Sequence, residues 1–268
     1  MDLFDISGKV VAVTGATGVL AGSLARYLAA QKAKVVFMGR NARKLSEAME
    51  GLDESEHMAC VCNVLDREAL ESAKEAVMKK YGRLDALVNG AGGNMPGATI
   101  APEKTFFDLD VSQWAEVVKL NLEGTLLPIM VFGEIFKAQK SGSIVNFSSM
   151  TAQSAVTRVL GYSNAKAAVE NLTKGLAVEF AKKFGDGLRV NAIAPGFFIS
   201  NQNRALLTNP DGTFTARGQA VINKTPFGRF GNADEIWGAV HYLISPASKF
   251  VTGTVMAIDG GFSCFSGV

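Results

Sequence analysis

The chain has 268 residues, 48% hydrophobic and 19% charged, the balance of an ordinary soluble globular protein with one large core. A formal net charge of +2 offers no electrostatic footprint for nucleic acid or an anionic membrane surface. Three cysteines and two histidines argue against a disulfide framework, a zinc cluster at recognisable spacing and a Ser-His-Asp hydrolase.

No apolar run reaches the ~18 residues that a membrane helix needs, and the stretch 126–136 is interrupted by Pro128 and Glu134. Residues 1–9 lack the charged-then-apolar form of a secretory signal, so a cytoplasmic location is expected. No metal site is expected either.

The first predicted strand is the apolar run 10–13. A glycine-bearing turn follows, Thr14-Gly15-Ala16-Thr17-Gly18, and then a helix with Leu20, Leu24, Tyr27 and Leu28 at helical spacing. Residues 34–38 form a second apolar run. Strand–turn–helix–strand units of this kind bind dinucleotides, because glycines let the backbone approach the pyrophosphate and the helix start supplies free N–H donors. Gly15, Thr17, Gly18, Val19 and Leu20 are therefore expected to touch a cofactor. At the end of the second strand an acidic residue would hold the ribose 2′-OH of NAD. Gly39 and Arg40 stand there instead, with Arg43 and Lys44 close behind. A guanidinium can grip a 2′-phosphate bidentately, which favours NADP(H) and leaves NAD(H) possible.

A third strand is predicted over 57–61, with Cys60 and Cys62 facing one side, followed by a helix over 66–81 and a strand over 86–88. The last ends in Asn89-Gly90-Ala91-Gly92. The loop 93–110 then carries two prolines and no periodicity. Loops this long are usually functional or mobile, and this one leaves the carboxyl end of a central strand, so Asn94 becomes a substrate candidate. Ser112 is the predicted N-cap of a helix holding Trp114, Val117, Val118, Leu120 and Asn121.

The strand 143–147 leads to Ser149. Tyr162 comes thirteen residues later, and Lys166 four after that. On a helix, i and i+4 share a face, so the phenol and the ammonium can act on one small volume. A nearby ammonium favours phenolate and lowers a pKa that is otherwise near 10. Tyr162 could then exchange a proton with an alcohol or carbonyl oxygen held by Ser149. The helix is predicted to run from about 162 to 184, with an apolar stripe of Ala165, Val169, Leu172, Leu176 and Phe180. Then come a strand over 188–193, the turn Pro195-Gly196-Phe197-Phe198-Ile199-Ser200, a long insertion over 201–225, a helix near 235–243 and a strand near 255–258. Seven strands alternating with helices predict a single α/β domain over residues 1–268. It would be a Rossmann-type doubly wound parallel sheet with helices on both faces and substrate loops near 93–110 and 200–225.

Ser149, Tyr162 and Lys166, in that order and spacing after an N-terminal glycine turn, resemble the short-chain dehydrogenase/reductase family over nearly the whole chain. The glycine turn departs from the family's T-G-x-x-x-G-x-G: Gly15 matches, but Val19 and Ala21 stand where glycines are usual, with Gly18 and Gly22 one step away. The resemblance implies hydride transfer between a nicotinamide and a ketone or alcohol. In it Tyr162 would be the proton donor or acceptor, Ser149 the hydrogen-bond partner of the reacting oxygen, and Lys166 the ribose ligand that depresses the phenol. Asn121 would hold a proton-relay water. It also implies cofactor contacts from Asn63 and Val64 beside the adenine and from Asn89, Gly90 and Ala91. Further contacts would come from Pro195, Gly196, Phe198 and Ser200 near the nicotinamide amide. A substrate lid near 200–225 and a homodimer or homotetramer formed across paired helices are implied too.

For the substrate, Asn94, Gln153, Arg158, Gln202, Asn203 and Arg204 offer amides suited to a polyol and arginines suited to a carboxylate. Three stretches resemble a subgroup called D-mannonate oxidoreductases or fructuronate reductases: 90–94, 148–153 and 195–209. That subgroup interconverts D-fructuronate and D-mannonate, usually with NAD(H). Arg158 or Arg204 would then pair with the carboxylate. A gluconate 5-dehydrogenase or another keto-sugar reductase is the alternative within the fold. A non-catalytic dinucleotide-sensing protein is the alternative of another class.

Overall fold

The structure, a computed structural model, describes residues 2–200 and 203–267. The chain alternates strand and helix from its start: β1 (Val10–Thr14), α1 (Val19–Ala30), β2 (Lys34–Gly39), α2 (Ala42–Met49), β3 (Met58–Val61), α3 (Arg67–Tyr81) and β4 (Ala86–Asn89). Two single 3-10 turns, Pro96–Ala98 and Phe106–Asp108, give the 93–110 loop more order than its sequence indicates. Beyond it lie α4 (Val111–Gln139), β5 (Gly142–Phe147), α5 (Leu160–Phe184), β6 (Leu188–Pro195), the short α6 (Arg204–Leu207), α7 (Ala216–Lys224), α8 (Trp237–Ile244) and β7 (Val255–Ile258).

All seven strands join one parallel sheet in the order β3-β2-β1-β4-β5-β6-β7. The sheet is buried on both faces, and the two-residue period of each strand sorts its side chains between two cores. Val11 and Val13 pack with Leu24, Leu28, Phe37 and Leu243 on one side. Val10 and Ala12 pack with Met38, Leu70, Phe132 and Phe136 on the other. Cys60 and Cys62 both face this second core, and burial pushes their thiols up to about 11 and about 12. They are unreactive filling.

Cap chemistry sets the helix ends. Asp66 accepts from the Ala69 amide to start α3, and Gly82, at φ 69, ends it. The start of α4 corrects the sequence expectation. Asp110, not Ser112, is the N-cap, because its carboxylate accepts from both the Ser112 and Gln113 amides. Ser112 donates its hydroxyl to the same oxygen.

From β1 the chain winds outward through β2 and β3, then returns to place β4 on the other side of β1 and continues through β5, β6 and β7. The order reverses between β1 and β4. Open α/β sheets bind ligands in the crevice at the carboxyl ends of such strands, here occupied by Gly15 and Gly90.

Candidate active site

The glycine turn presses backbone on backbone. Gly15 has φ 70, and a Cβ there would stand 2.8 Å from the Ala91 Cα and N and from the Gly90 carbonyl. Thr14 Oγ1 accepts from the Ala91 amide at 3.1 Å, so β1 and the end of β4 are clamped together. The shifted glycines have a local cause. Gly18 is the N-cap of α1, and Gly22 sits where a Cβ would be 2.7 Å from the Ala16 carbonyl. Val19 is exposed at the first helical position and Leu20 is partly buried. Gly18 supplies no side-chain cap and no acidic residue stands in the first turn of α1, so its free N–H groups face the crevice with their positive end. Thr17 is exposed on the same turn.

At the end of β2, a Cβ on Gly39 would lie 3.3 Å from Thr17 Cγ2 and 3.4 Å from Leu45 Cδ2, so a side chain there would have to displace its neighbours by a few tenths of an ångström. Arg40 is exposed, whereas Arg43 is paired with Glu47 at 2.9 Å. Asn63 is exposed and folds its Oδ1 onto the Leu65 amide, while Val64 is buried against Gly124. Asn89 is buried and points across the sheet. Its Nδ2 donates to Asn146 Oδ1 at 2.9 Å, and Asn146 donates in turn to Thr173 of α5. Pro195 and Phe198 are buried, and Gly196 is packed on Asp259, 2.7 Å from its Cα as a Cβ would lie. The Ser200 amide donates to Asn203 Oδ1.

Ser149, Tyr162, Lys166 and Asn121 converge at the carboxyl end of β5 and the first turns of α5. Lys166, 3% exposed, donates from Nζ to the Phe147 carbonyl at 2.7 Å and lies 5.5 Å from the centre of the Tyr162 ring. Ser149 is buried and accepts from the Thr151 amide. Asn121 is wholly buried and grips Gly93 twice, accepting from its amide at 3.0 Å and donating to its carbonyl at 2.7 Å. Gly92 makes this convergence possible, since a Cβ there would be 2.6 Å from Asn121 Oδ1 and 3.3 Å from Lys166 Nζ.

The expected depression of the phenol is corrected by the structure. Burial raises the Tyr162 pKa above its ordinary 10.0, and a hydrogen bond with Ser149 only partly opposes that. Lys166 does not offset it, because its Nζ is directed to the Phe147 carbonyl. Burial lowers Lys166 itself to about 8. Lys166 is buried and Tyr162 half-buried, and the partial or full loss of water penalises the charged form of each.

The substrate candidates scatter. Asn94 donates to Thr99 Oγ1 at 2.8 Å within its own loop, and its buried Oδ1 has no partner among the described residues. Gln153 donates to Glu170 at 3.1 Å. Both ends of the Asn203 amide are taken up by the backbone, at Ser200 N and Phe198 O, so it shapes its turn. Arg204 is exposed on α6, and Arg158 is partly buried two residues before α5. Gln202 lies outside the described residues.

Residues 15–263 match the family described as enoyl-(acyl carrier protein) reductase. An "uncharacterized oxidoreductase" of Bacillus subtilis (strain 168) is 42% identical, with 98% of each chain covered. The chain belongs to the short-chain dehydrogenase/reductase family. It is an NAD(P)-dependent oxidoreductase of alcohol and ketone groups. Two solved relatives in the family superpose along its whole length. A provisionally named D-mannonate oxidoreductase from Haemophilus influenza with bound NAD has TM-score 0.92 and 40% identity, covering 98% of each chain. A gluconate 5-dehydrogenase from Burkholderia cenocepacia in complex with NADP and tartrate has TM-score 0.86 and 30% identity, again covering 98% of each chain.

Sequence reading missed several residues of this short-chain dehydrogenase. Glu170, 9% exposed on α5, accepts from Ser148 Oγ at 2.9 Å and from Gln153, bracketing the turn that carries Ser149. Its signal was present: a carboxylate four residues past Lys166, hence on the same helix face. Arg217 of α7 donates to Thr157 beside Arg158, and nothing local in the sequence announces that contact.

Proposed function

We propose that this chain reduces the ketone of an open-chain sugar acid, with D-fructuronate and D-mannonate as the candidate pair. The observation that supports it most is the continuous contact from the glycine turn to the proton-handling groups. Gly15 packs on Ala91, and Gly92 packs on Asn121 and Lys166, one helical turn beyond Tyr162. When bound, the nicotinamide supplies or takes the hydride. The free N–H groups of α1 and the 89–91 backbone would hold the dinucleotide, with Lys166 toward its ribose. Tyr162 gives its proton to the oxygen of the ketone as that oxygen gains charge. Ser149 donates a hydrogen bond to the same oxygen, and Lys166 with Asn121 carries proton resupply. A phenol raised by burial holds its proton at neutral pH, which suits the reductive direction.

The substrate class rests on likeness to proteins named for sugar-acid chemistry. A gluconate 5-dehydrogenase activity is the second reading, favoured by the Burkholderia cenocepacia relative. Exposed Arg40 without a carboxylate beside it favours NADP(H), and the NAD-bound relative at 40% identity keeps NAD(H) possible. Exposed Met130 on α4 and Val178 on α5 give a dimer or tetramer an apolar face to form on. The test is a panel of ketouronates, ketoaldonates and ketoses followed by NADH and NADPH absorbance, repeated with Tyr162→Phe. That variant should lose at least 100-fold in kcat, on the order of one general acid's contribution, and keep its cofactor affinity. Undiminished turnover in Tyr162→Phe would remove the mechanism.

A further inference from the structure

Two arginines meet where the substrate loop, the catalytic helix and the lid helix come together. The Ile100 amide donates to the Arg158 carbonyl at 3.0 Å, tying the 93–110 loop to the residue that precedes the N-cap of α5. Arg217 reaches down from α7 and donates to Thr157 Oγ1 at 3.2 Å and to the Thr157 carbonyl at 3.1 Å. The two guanidinium groups are close enough that the charge of Arg158, together with burial, lowers the pKa of Arg217. Among the described residues, neither arginine forms an ion pair with a carboxylate.

Apart from the Thr157 acceptors, the surroundings disfavour positive charge. Arg217 stands in the first turn of α7, and Arg158 lies just ahead of α5, so both sit at the positive ends of helix dipoles. Val159 caps α5 without a side-chain bond, and neither helix has an acidic residue in its first turn. Arg158 is also held at φ 76, a left-handed backbone that a non-glycine residue adopts under constraint. Two like charges, two helix starts and a strained backbone are mutually reinforcing only if an anion joins them.

We infer that Arg158 and Arg217 together bind the carboxylate of the substrate and set where its ketone falls. This rests on the sugar-acid reading above and makes it more specific. A guanidinium pair takes a carboxylate through parallel N–H donors, and lid helix and catalytic helix each contribute one. Arg158 lies four residues before Tyr162. On this inference the carboxylate is held several carbons from a ketone at the phenol, as in a 5-keto hexonate, and not on the adjacent carbon, as in a 2-keto acid. Arg204 is exposed on α6, and the clamp does not use it.

The experiment compares wild type with Arg158→Met, Arg217→Met and Arg217→Lys. It measures kcat/KM for 5-keto-D-gluconate, 2-keto-D-gluconate and uncharged D-fructose, and binding of D-gluconate by calorimetry. Wild type should prefer the 5-keto to the 2-keto acid at least 10-fold. Each Met variant should lose at least 10-fold more on the 5-keto acid than on D-fructose, through KM, and bind D-gluconate at least 10-fold more weakly. Arg217→Lys keeps the charge, loses the fork to Thr157 and should fall between. Equal losses on acid and ketose, or equal D-gluconate binding by wild type and both Met variants, would overturn the clamp. If wild type reduces no ketone at all, the enzymatic reading falls, and the calorimetry still judges the arginine pair.

Discussion

Lys166 should make the protein less stable at neutral pH than at mildly alkaline pH. Burial lowers its ammonium from 10.5 to about 8. Below pH 8 the folded and unfolded chains both carry the proton, and the folded one bears the full desolvation cost. Between about 8 and 10.5 the folded state is neutral while the unfolded state still binds the proton, so stability rises with pH. At about 1.4 kcal/mol per pH unit of displacement, the whole effect is roughly 3 kcal/mol. The part recovered between pH 7 and pH 9.5 is about 2 kcal/mol. Lys166→Met lacks the titrating group. It also loses the hydrogen bond to the Phe147 carbonyl, but that loss is the same at every pH and cancels in a difference. Urea unfolding of both proteins at several pH values gives the stability difference directly. Wild type should gain about 2 kcal/mol on the variant from pH 7 to pH 9.5. A flat difference across that range would refute the claim that this ammonium is desolvated.

Gly15→Ala should cost about 2–4 kcal/mol, a left-handed backbone penalty plus overlap with the Ala91 backbone, and lower Tm by roughly 5–15 °C in a scanning melt. Cofactor affinity should fall with it. Glu170→Ala removes the acceptor of the exposed Gln153 amide and the nearer of two acceptors of the buried Ser148 hydroxyl, which keeps the Lys166 carbonyl at 3.3 Å. Differential scanning should show a loss of about 1–2 kcal/mol, and kcat should fall several-fold as the Ser149 turn loosens. Because burial holds the Tyr162 proton above its ordinary pKa, ketone reduction should stay level through neutral pH and alcohol oxidation should climb toward alkaline pH. Paired pH–rate profiles in the two directions measure this. Arg40→Ala should weaken NADPH binding at least 10-fold and leave NADH binding within about 2-fold, read by fluorescence titration.

The repeating elements were legible because each carries its own signal. Four buried apolar residues running into a glycine turn mark an inner strand, and thirteen residues from Ser149 to Tyr162 let a strand end meet a helix start. Ser112 as a cap failed because Asp110, two residues earlier, reaches the same amides with a stronger acceptor. Asn203, expected to touch substrate, is held within its own turn for a related reason. An amide in a turn finds two backbone partners before any ligand arrives. Arg217 was invisible because its placement depends on how α7 folds back over residue 157, a contact 60 residues apart in sequence.

The deepest difference concerns acidity. The i, i+4 spacing places the ammonium beside the phenol, and that placement is what the structure shows. What spacing cannot carry is solvation. Burial moves the phenol up and the ammonium down, so in the resting site the lysine yields its proton before the tyrosine does. Proximity of a cation therefore does not by itself make this phenol acidic, since the same exclusion of water that strengthens their attraction also penalises each charge. The phenolate becomes favourable when further positive charge or a hydrogen-bond donor enters the same volume. A Tyr162 that acts as proposed above therefore starts each reduction as the acid, with its proton still held.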